Sequence, residues 1–307
     1  MDIVCCTDTH YIMPTGVMLK SLFDNNKTEN LTVHVIIDDS VTESDKRALT
    51  EITEGYISFY SASSIHCGFP NIGVTNTHVT TASYYRLFLT QLLPVEIEKV
   101  LYLDGDIIIN DNLSDLWETN IENYAIGCIK DMDEIPNLNR VSYPIDYGYF
   151  NAGVLLINLK FWRHHHLLET FLQCIKENGT KLMYHDQDVL NFTLYDKKRY
   201  LPMRYNVQNG FLFKKRFQLF THDDDSNDLK VAQQHPAIIH YTLSKPWKQN
   251  SVSPFKRLFR YYKNQTAWSS INDEASVNTH FHNFRQTIKL LLKYKTSLLI
   301  KSFLYVR

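Results

Sequence analysis

The sequence predicts an α/β protein built on a mostly parallel sheet with helices on both faces. Three observations carry that reading. Apolar runs of strand length alternate with helix-like segments through the N-terminal half. The strands are near-continuous apolar runs rather than alternating ones, the pattern of a sheet buried on both sides. The hydrophobic share of 44% and charged share of 21% are those of a globular chain with a real core.

In order, Ile3 to Cys6 is a short strand, followed by a helix from Thr15 to Phe23 that buries Val17, Leu19 and Leu22. Leu31 to Ile37 is the next strand, then a helix from Glu43 to Glu54 and a strand from Tyr56 to Tyr60. Tyr84 to Leu93 reads as a helix closed by Pro94, and Val100 to Leu103 as a strand. In parallel sheets ligands bind beyond the carboxyl ends of the strands. Asp8 follows the first strand and Asp104 and Asp106 follow the later one, so all three are expected on one edge.

The formal net charge of −1 argues against a general nucleic-acid binder. Five cysteines without a C-x-x-C pair fit a reducing compartment rather than a disulfide framework. The opening MDIVCCTD lacks a basic n-region, so a signal peptide is not expected. A spanning helix is not expected either, because no run of about 18 apolar residues is uninterrupted. The expected location is the cytoplasm.

The chemistry concentrates in four segments. Asp104-Gly105-Asp106 ends an apolar strand, and side chains two apart on an extended segment face the same way, within reach of one divalent cation. Gly105 would let an anionic ligand approach the backbone closely. The competing reading is a solvated turn. Tyr149 to Leu159, YFNAGVLLINL, places Asn151, Ala152 and Gly153 ahead of a strongly apolar strand, either as a close-approach surface or as a tight turn. His185 to Asn191, HDQDVLN, sets two carboxylates and an amide before an apolar helix, where capping is the competing role. His240 to Trp247, HYTLSKPW, offers a neutral nitrogen ligand and a phosphate-directed cation, Lys245.

YLDGDIII, YFNAGVLLINLKFW, HDQDVLN and HYTLSKPW, in that order, resemble glycosyltransferase family 8, from Met1 to about Trp247. The resemblance implies a retaining, metal-dependent transferase of the GT-A fold that uses UDP-hexoses. Within that family the motifs resemble those of bacterial lipooligosaccharide and lipopolysaccharide α-galactosyl- and α-glucosyltransferases. It implies Asp104, Asp106 and His240 as ligands of Mn²⁺ (or Mg²⁺), and Lys245 on the pyrophosphate. Asp8 would read uracil with Thr7 and Tyr11 beside it, and Gly105 would line the donor site. Arg86, Asp131, Asn151 and Ala152 match positions around the donor sugar, and Asp186 and Gln187 match those beside its anomeric carbon. His78 and Tyr184 would line the acceptor pocket.

The expected donor is UDP-galactose or UDP-glucose, and the expected acceptor a saccharide or glycolipid. The chain departs from the family pattern at Asp8-Thr9-His10, where two acids and an Asn are usual. It also has one residue fewer, and no Gly, between His240 and Lys245.

The expected organisation is a catalytic domain over 1–263, a linker over 264–283 and a basic amphipathic helix over 284–307. After Glu274 the chain carries no acidic residue, whereas Arg285, Lys289, Lys293, Lys295, Lys301 and Arg307 are basic. Phe284, Ile288, Leu291, Leu292 and Leu298 share the opposite face, so the tail is expected to lie on an anionic membrane surface, on the cytoplasmic side. Deleting 284–307 should then remove liposome binding. The rival readings are a catalytically silent nucleotide-sugar binding protein and a metal-dependent phosphohydrolase, which also uses clustered carboxylates.

Overall fold

The computed structural model describes residues 1–65, 81–131, 143–208, 225–242, 244–251 and 253–274. Seven strands form the central sheet in the order β3-β2-β1-β4-β7-β6-β8. They are β1 (Asp2–Thr7), β2 (Thr32–Ile37), β3 (Ile57–Ser61), β4 (Lys99–Leu103), β6 (Ile126–Lys130), β7 (Phe150–Asn158) and β8 (Lys198–Tyr200). Parallel pairing joins β3 to β2, β2 to β1, β1 to β4 and β6 to β8, while β7 runs against both its neighbours. The mostly parallel α/β architecture predicted from the apolar runs is therefore what forms.

Both faces are covered, and neighbouring residues of one strand show it. Ile3 and Cys5 join a core with Val17, Leu19 and Leu22 of helix α1 (Ile12–Asn25), whereas Val4 joins a second core with Phe171, Val189 and Leu190. Each fully buried aliphatic side chain contributes about 1.5–3 kcal/mol. Helix α2 (Glu43–Ile52) starts with a capping box: Asp45 N donates to Thr42 Oγ1 at 3.2 Å, and Thr42 N donates to Asp45 Oδ2 at 3.0 Å.

A second, three-stranded sheet has the order β5-β10-β9, formed by β5 (Ile107–Ile109), β9 (Val207–Gln208) and β10 (Ile238–His240). Its β5 continues from β4 after a turn at 104–106, so the acidic pair lies between the two sheets.

Four local expectations change. Asp104 and Asp106 converge because the chain turns, not because they alternate along a strand. At Gly105 an added Cβ would lie 2.5 Å from Thr15 Oγ1, so packing of α1 against the turn already explains the glycine. Asn151 and Ala152 belong to β7 itself, and the strand's register against β6 shifts between Cys128 and Ile129. The helix expected over 84–93 is a 3₁₀ segment, Thr81–Phe88, running into the short helix Leu89–Leu92. Tyr84, Tyr85, Arg86, Leu87, Phe88 and Leu89 are all buried, so no single amphipathic face governs the winding.

Residues 264–274, the first part of the expected linker, pack onto the domain. Trp268 is buried against α1, where a Cβ at Gly16 would lie 2.1 Å from the indole Cζ3. Asp273 accepts from Arg260 at 2.5 Å and pairs with Lys256 at 3.1 Å. The rest of that linker and the basic tail lie outside the described residues. Among the described residues no helix is long and apolar enough to cross a membrane.

Candidate active site

Parallel pairing of β1 with β4 brings their carboxyl ends side by side, and antiparallel β7 presents its first residues to the same edge. Asp8, Asp104 and Asn151 thereby meet at one rim. His240 arrives from the second sheet: β10 pairs with β5, His240 opposite Ile107, and Tyr241 N donates to Asp106 O at 3.0 Å.

One ligand atom each from Asp104, Asp106 and His240 lies within 4.8 Å of the other two. His240 Nε2 is 3.3 Å from Asp106 Oδ1 and 3.9 Å from Asp104 Oδ2. Two carboxylates and one imidazole suit a hard or borderline divalent ion such as Mn²⁺ or Mg²⁺, with positions left for substrate oxygens. The strand behind them has no side chain to spare. A Cβ on Gly153 would sit 2.2 Å from His240 Cε1 and 2.9 Å from Asp104 Oδ2, which is why a glycine stands there.

Lys245 donates to Asp106 Oδ2 and to Tyr241 O, the latter at 2.8 Å. Burial alone would raise the Asp106 carboxyl, but Lys245 and His240 together hold it well below the usual carboxylate range. Burial likewise disfavours the Lys245 ammonium, and Asp106 outweighs it, raising its pKa. The lysine expected on a pyrophosphate thus rests on a carboxylate of the cation trio.

Arg86 is the second organising charge. Its guanidinium meets Asp104 Oδ1 at 2.9 Å, Asp186 Oδ2 at 2.9 Å and Ala152 O at 2.6 Å, and lies 4.4 Å above the Tyr102 ring. Tyr102, legible in the sequence only as a strand residue, also donates to Asp104 Oδ1 at 3.0 Å. Burial pushes the Asp186 carboxyl up to about 6, Arg86 opposing and Asp104 adding to the rise.

A carboxyl with a raised folded pKa stabilises the fold fully below its unfolded pKa and loses that contribution as pH rises through the folded one. Between pH 3.8 and about 6, metal-free wild type should therefore lose stability relative to Asp186→Asn. The loss expected is about 3 kcal/mol. Urea melts of both proteins across that window check it, and a pH-independent difference between them refutes it.

Beside this charged cluster lies an amide network. Gln187 Oε1 accepts from Ala152 N at 3.0 Å, and Gln187 Nε2 donates to Asp131 Oδ2 at 3.1 Å. Asn151 Nδ2 donates to the same oxygen at 3.0 Å. Helix capping in HDQDVLN falls to Asp188, which accepts from Tyr184 N at 2.9 Å and from Tyr149 OH at 2.7 Å. Asp186 is left to Arg86.

Asp8 Oδ1 accepts from His10 N at 2.9 Å and Tyr11 N at 3.0 Å, fixing the turn into α1. Thr7 Oγ1 accepts from Thr15 Oγ1 at 3.1 Å. Tyr11 packs edge-on against Trp247, its ring centroid 5.8 Å away. Burial pushes its hydroxyl up to about 12, Lys245 opposing and Asp106, Asp104 and Asp8 adding to the rise. Tyr184 is 37% exposed at the rim, its ring 6.4 Å from Tyr149. His78 lies outside the described residues.

Sequence reasoning missed Asn206 and gave Asn191 no role. Asn191 exchanges hydrogen bonds with Phe150 N and O, both at 2.9 Å, and so pins the first residue of β7. Asn206, fully buried, contacts His240 Nδ1 at 2.9 Å. Nothing about a single amide in MRYNVQ marks it out.

The arrangement can hold a polyanion through a divalent cation and a lysine, next to neutral amides that can orient a polar ring. Known proteins share this sequence pattern and fold. General stress protein A of Bacillus subtilis is 28% identical over 280 residues, covering 90% of this chain and 97% of its own. A lipopolysaccharide 1,2-glucosyltransferase of Escherichia coli K12 is 27% identical over 289 residues, covering 90% of this chain and 82% of its own. The crystal structure of the galactosyltransferase LgtC in complex with donor and acceptor sugar analogs superposes with a TM-score of 0.76 at 24% identity, covering 94% of this chain and 100% of that one. The family model described as Glycosyl transferase family 8 matches residues 2–251, and the chain belongs to that family.

Proposed function

We propose that this glycosyltransferase is a retaining, metal-dependent hexosyltransferase. In this reading it moves galactose or glucose from a UDP-hexose to a saccharide of lipopolysaccharide or another surface glycan. The observation that carries the proposal is the contact of the Asp104–Asp106–His240 trio with Lys245 on one side and, through Arg86, with Asp186 on the other.

When bound there, Mn²⁺ or Mg²⁺ would act as a Lewis acid on the diphosphate. Lys245, which sits on Asp106 beside the cation trio, would supply a further positive charge for the phosphates. Asp8, Thr7 and Tyr11 border the place for the uracil. In this reading Arg86, Asp131, Asn151 and Ala152 surround the place for the hexose, and Tyr184 faces the acceptor.

Gln187 bears on the stereochemistry. Both ends of its amide are engaged, and an amide oxygen is a poor nucleophile. Attack from the leaving-group face fits better. The acceptor oxygen forms a bond to the anomeric carbon as the bond from that carbon to phosphate oxygen breaks. The leaving phosphate keeps the electron pair and takes the acceptor's proton. Asp186 and the Gln187 amide oxygen then offset the positive charge developing on the sugar.

Contact of the 284–307 tail with an anionic membrane belongs to the same proposal, because it would hold the enzyme near a lipid-linked acceptor.

The test is UDP release from a panel of UDP-sugars, with Mn²⁺ or with EDTA. Slow hydrolysis of one UDP-hexose that EDTA abolishes is the expected result, and it names the donor. If no UDP-sugar binds with metal present, the proposal fails.

A further inference from the structure

We infer that Asn206 is a positioning residue that sets the tautomer of His240, and with it the ability of that imidazole to ligate a metal. The inference rests on the metal reading of the trio and goes beyond it.

A backbone N–H can only donate, so the Asn151 side-chain atom 3.0 Å from Gly153 N is its oxygen. That same oxygen faces the Asn206 side chain at 2.9 Å, so Asn206 must present its NH₂ there. The other end of the Asn206 amide, turned to His240 Nδ1 at 2.9 Å, is then the oxygen, which can only accept. Nδ1 therefore carries the proton, and Nε2 keeps its lone pair. Nε2 is the nitrogen that faces Asp106 and Asp104. The opposite end of Asn151 agrees, since its Nδ2 donates to the Asp131 carboxylate.

The arrangement decides a competition. His240 has acceptors on both nitrogens, Asn206 Oδ1 at 2.9 Å and Asp106 Oδ1 at 3.3 Å. A proton drawn to Nε2 by Asp106 would place a donor where the cation needs a ligand. Asn206 draws it the other way, and it does so as a neutral group that adds no charge to the core. Asn206 can hold this pose because it stands immediately before β9, whose residue Gln208 pairs with His240 itself. An outer partner that fixes a ligand's tautomer is worth about 10–100-fold in metal affinity.

The experiment uses the full chain labelled with ¹⁵N-histidine, free of metal, with the neutral His240 imidazole assigned by its loss in His240→Gln. Long-range ¹H–¹⁵N correlation should show Nδ1 protonated and Nε2 bare in wild type. In Asn206→Leu the proton should move to Nε2, and Mn²⁺ titration followed by EPR should show affinity weaker by about 10–100-fold. Asn206→Asp keeps an acceptor on Nδ1 and should keep the wild-type tautomer.

A wild-type imidazole protonated at Nε2 overturns the inference. So does an Asn206→Leu protein that retains the Nδ1 proton and wild-type Mn²⁺ affinity. If Asn206→Leu does not fold, the wild-type and Asn206→Asp spectra decide the matter. Failure of wild type to bind Mn²⁺ would instead fail the metal reading, which the metal-free tautomer does not depend on.

Discussion

Asp106→Asn is expected to lower metal-dependent UDP release by about 10³-fold, the loss of several kcal/mol of charge stabilisation from a weakened Lewis-acid site. The variant removes the charge of one of the two carboxylates expected to hold the cation, and with it the ion-pair partner of Lys245. The backbone bond from Tyr241 N to Asp106 O, which holds β5 to β10 near the site, is untouched. Lys245 loses its carboxylate and keeps Tyr241 O. The fold should therefore survive while Mn²⁺ affinity falls, and EPR titration and turnover on the same sample separate the two. Turnover within tenfold of wild type would show that the trio is not the metal site.

Arg86→Met should be the most destabilising single change in the site, by about 3 kcal/mol, because removing one partner of a buried ion pair leaves uncompensated charge. That corresponds to a drop in Tm of roughly 5 °C for a chain of this length. The substitution takes the guanidinium from Asp186 and from Ala152 O, and leaves Asp104 with Tyr102 OH. The deficit should shrink at pH 5, where Asp186, already pushed up to about 6 by burial, takes a proton and needs no partner. Calorimetry at pH 5 and pH 7.5 checks both parts. Equal melting of variant and wild type at pH 7.5 would mean that the guanidinium is not paired as described.

Much of the fold was legible in the sequence because it rests on local patterning. The apolar runs at Ile3 to Cys6, Leu31 to Ile37 and Val100 to Leu103 are strands, and the amphipathic stretches after the first two are helices. The segment at 84–89 was not legible as a 3₁₀ turn, since a stretch buried on all sides carries no period. The candidate site was legible to a smaller degree. Acidic, amide and basic residues in four ordered motifs indicated a metal and a nucleotide sugar through family resemblance, and the three residues expected to hold the cation do come together.

By itself the sequence determined the parallel α/β core and the chemical identity of the groups at its rim. Those follow from hydrophobic period and residue type, which are written along the chain. The tertiary structure alone decided which groups share a hydrogen bond. It reversed β7, folded Asp104 and Asp106 into a turn between two sheets, and gave Asp186 to Arg86 and the cap to Asp188. It also seated Asn206 against His240. Such pairings join residues far apart in the chain, and their geometry is set by strand register and close packing, neither of which leaves a local signature.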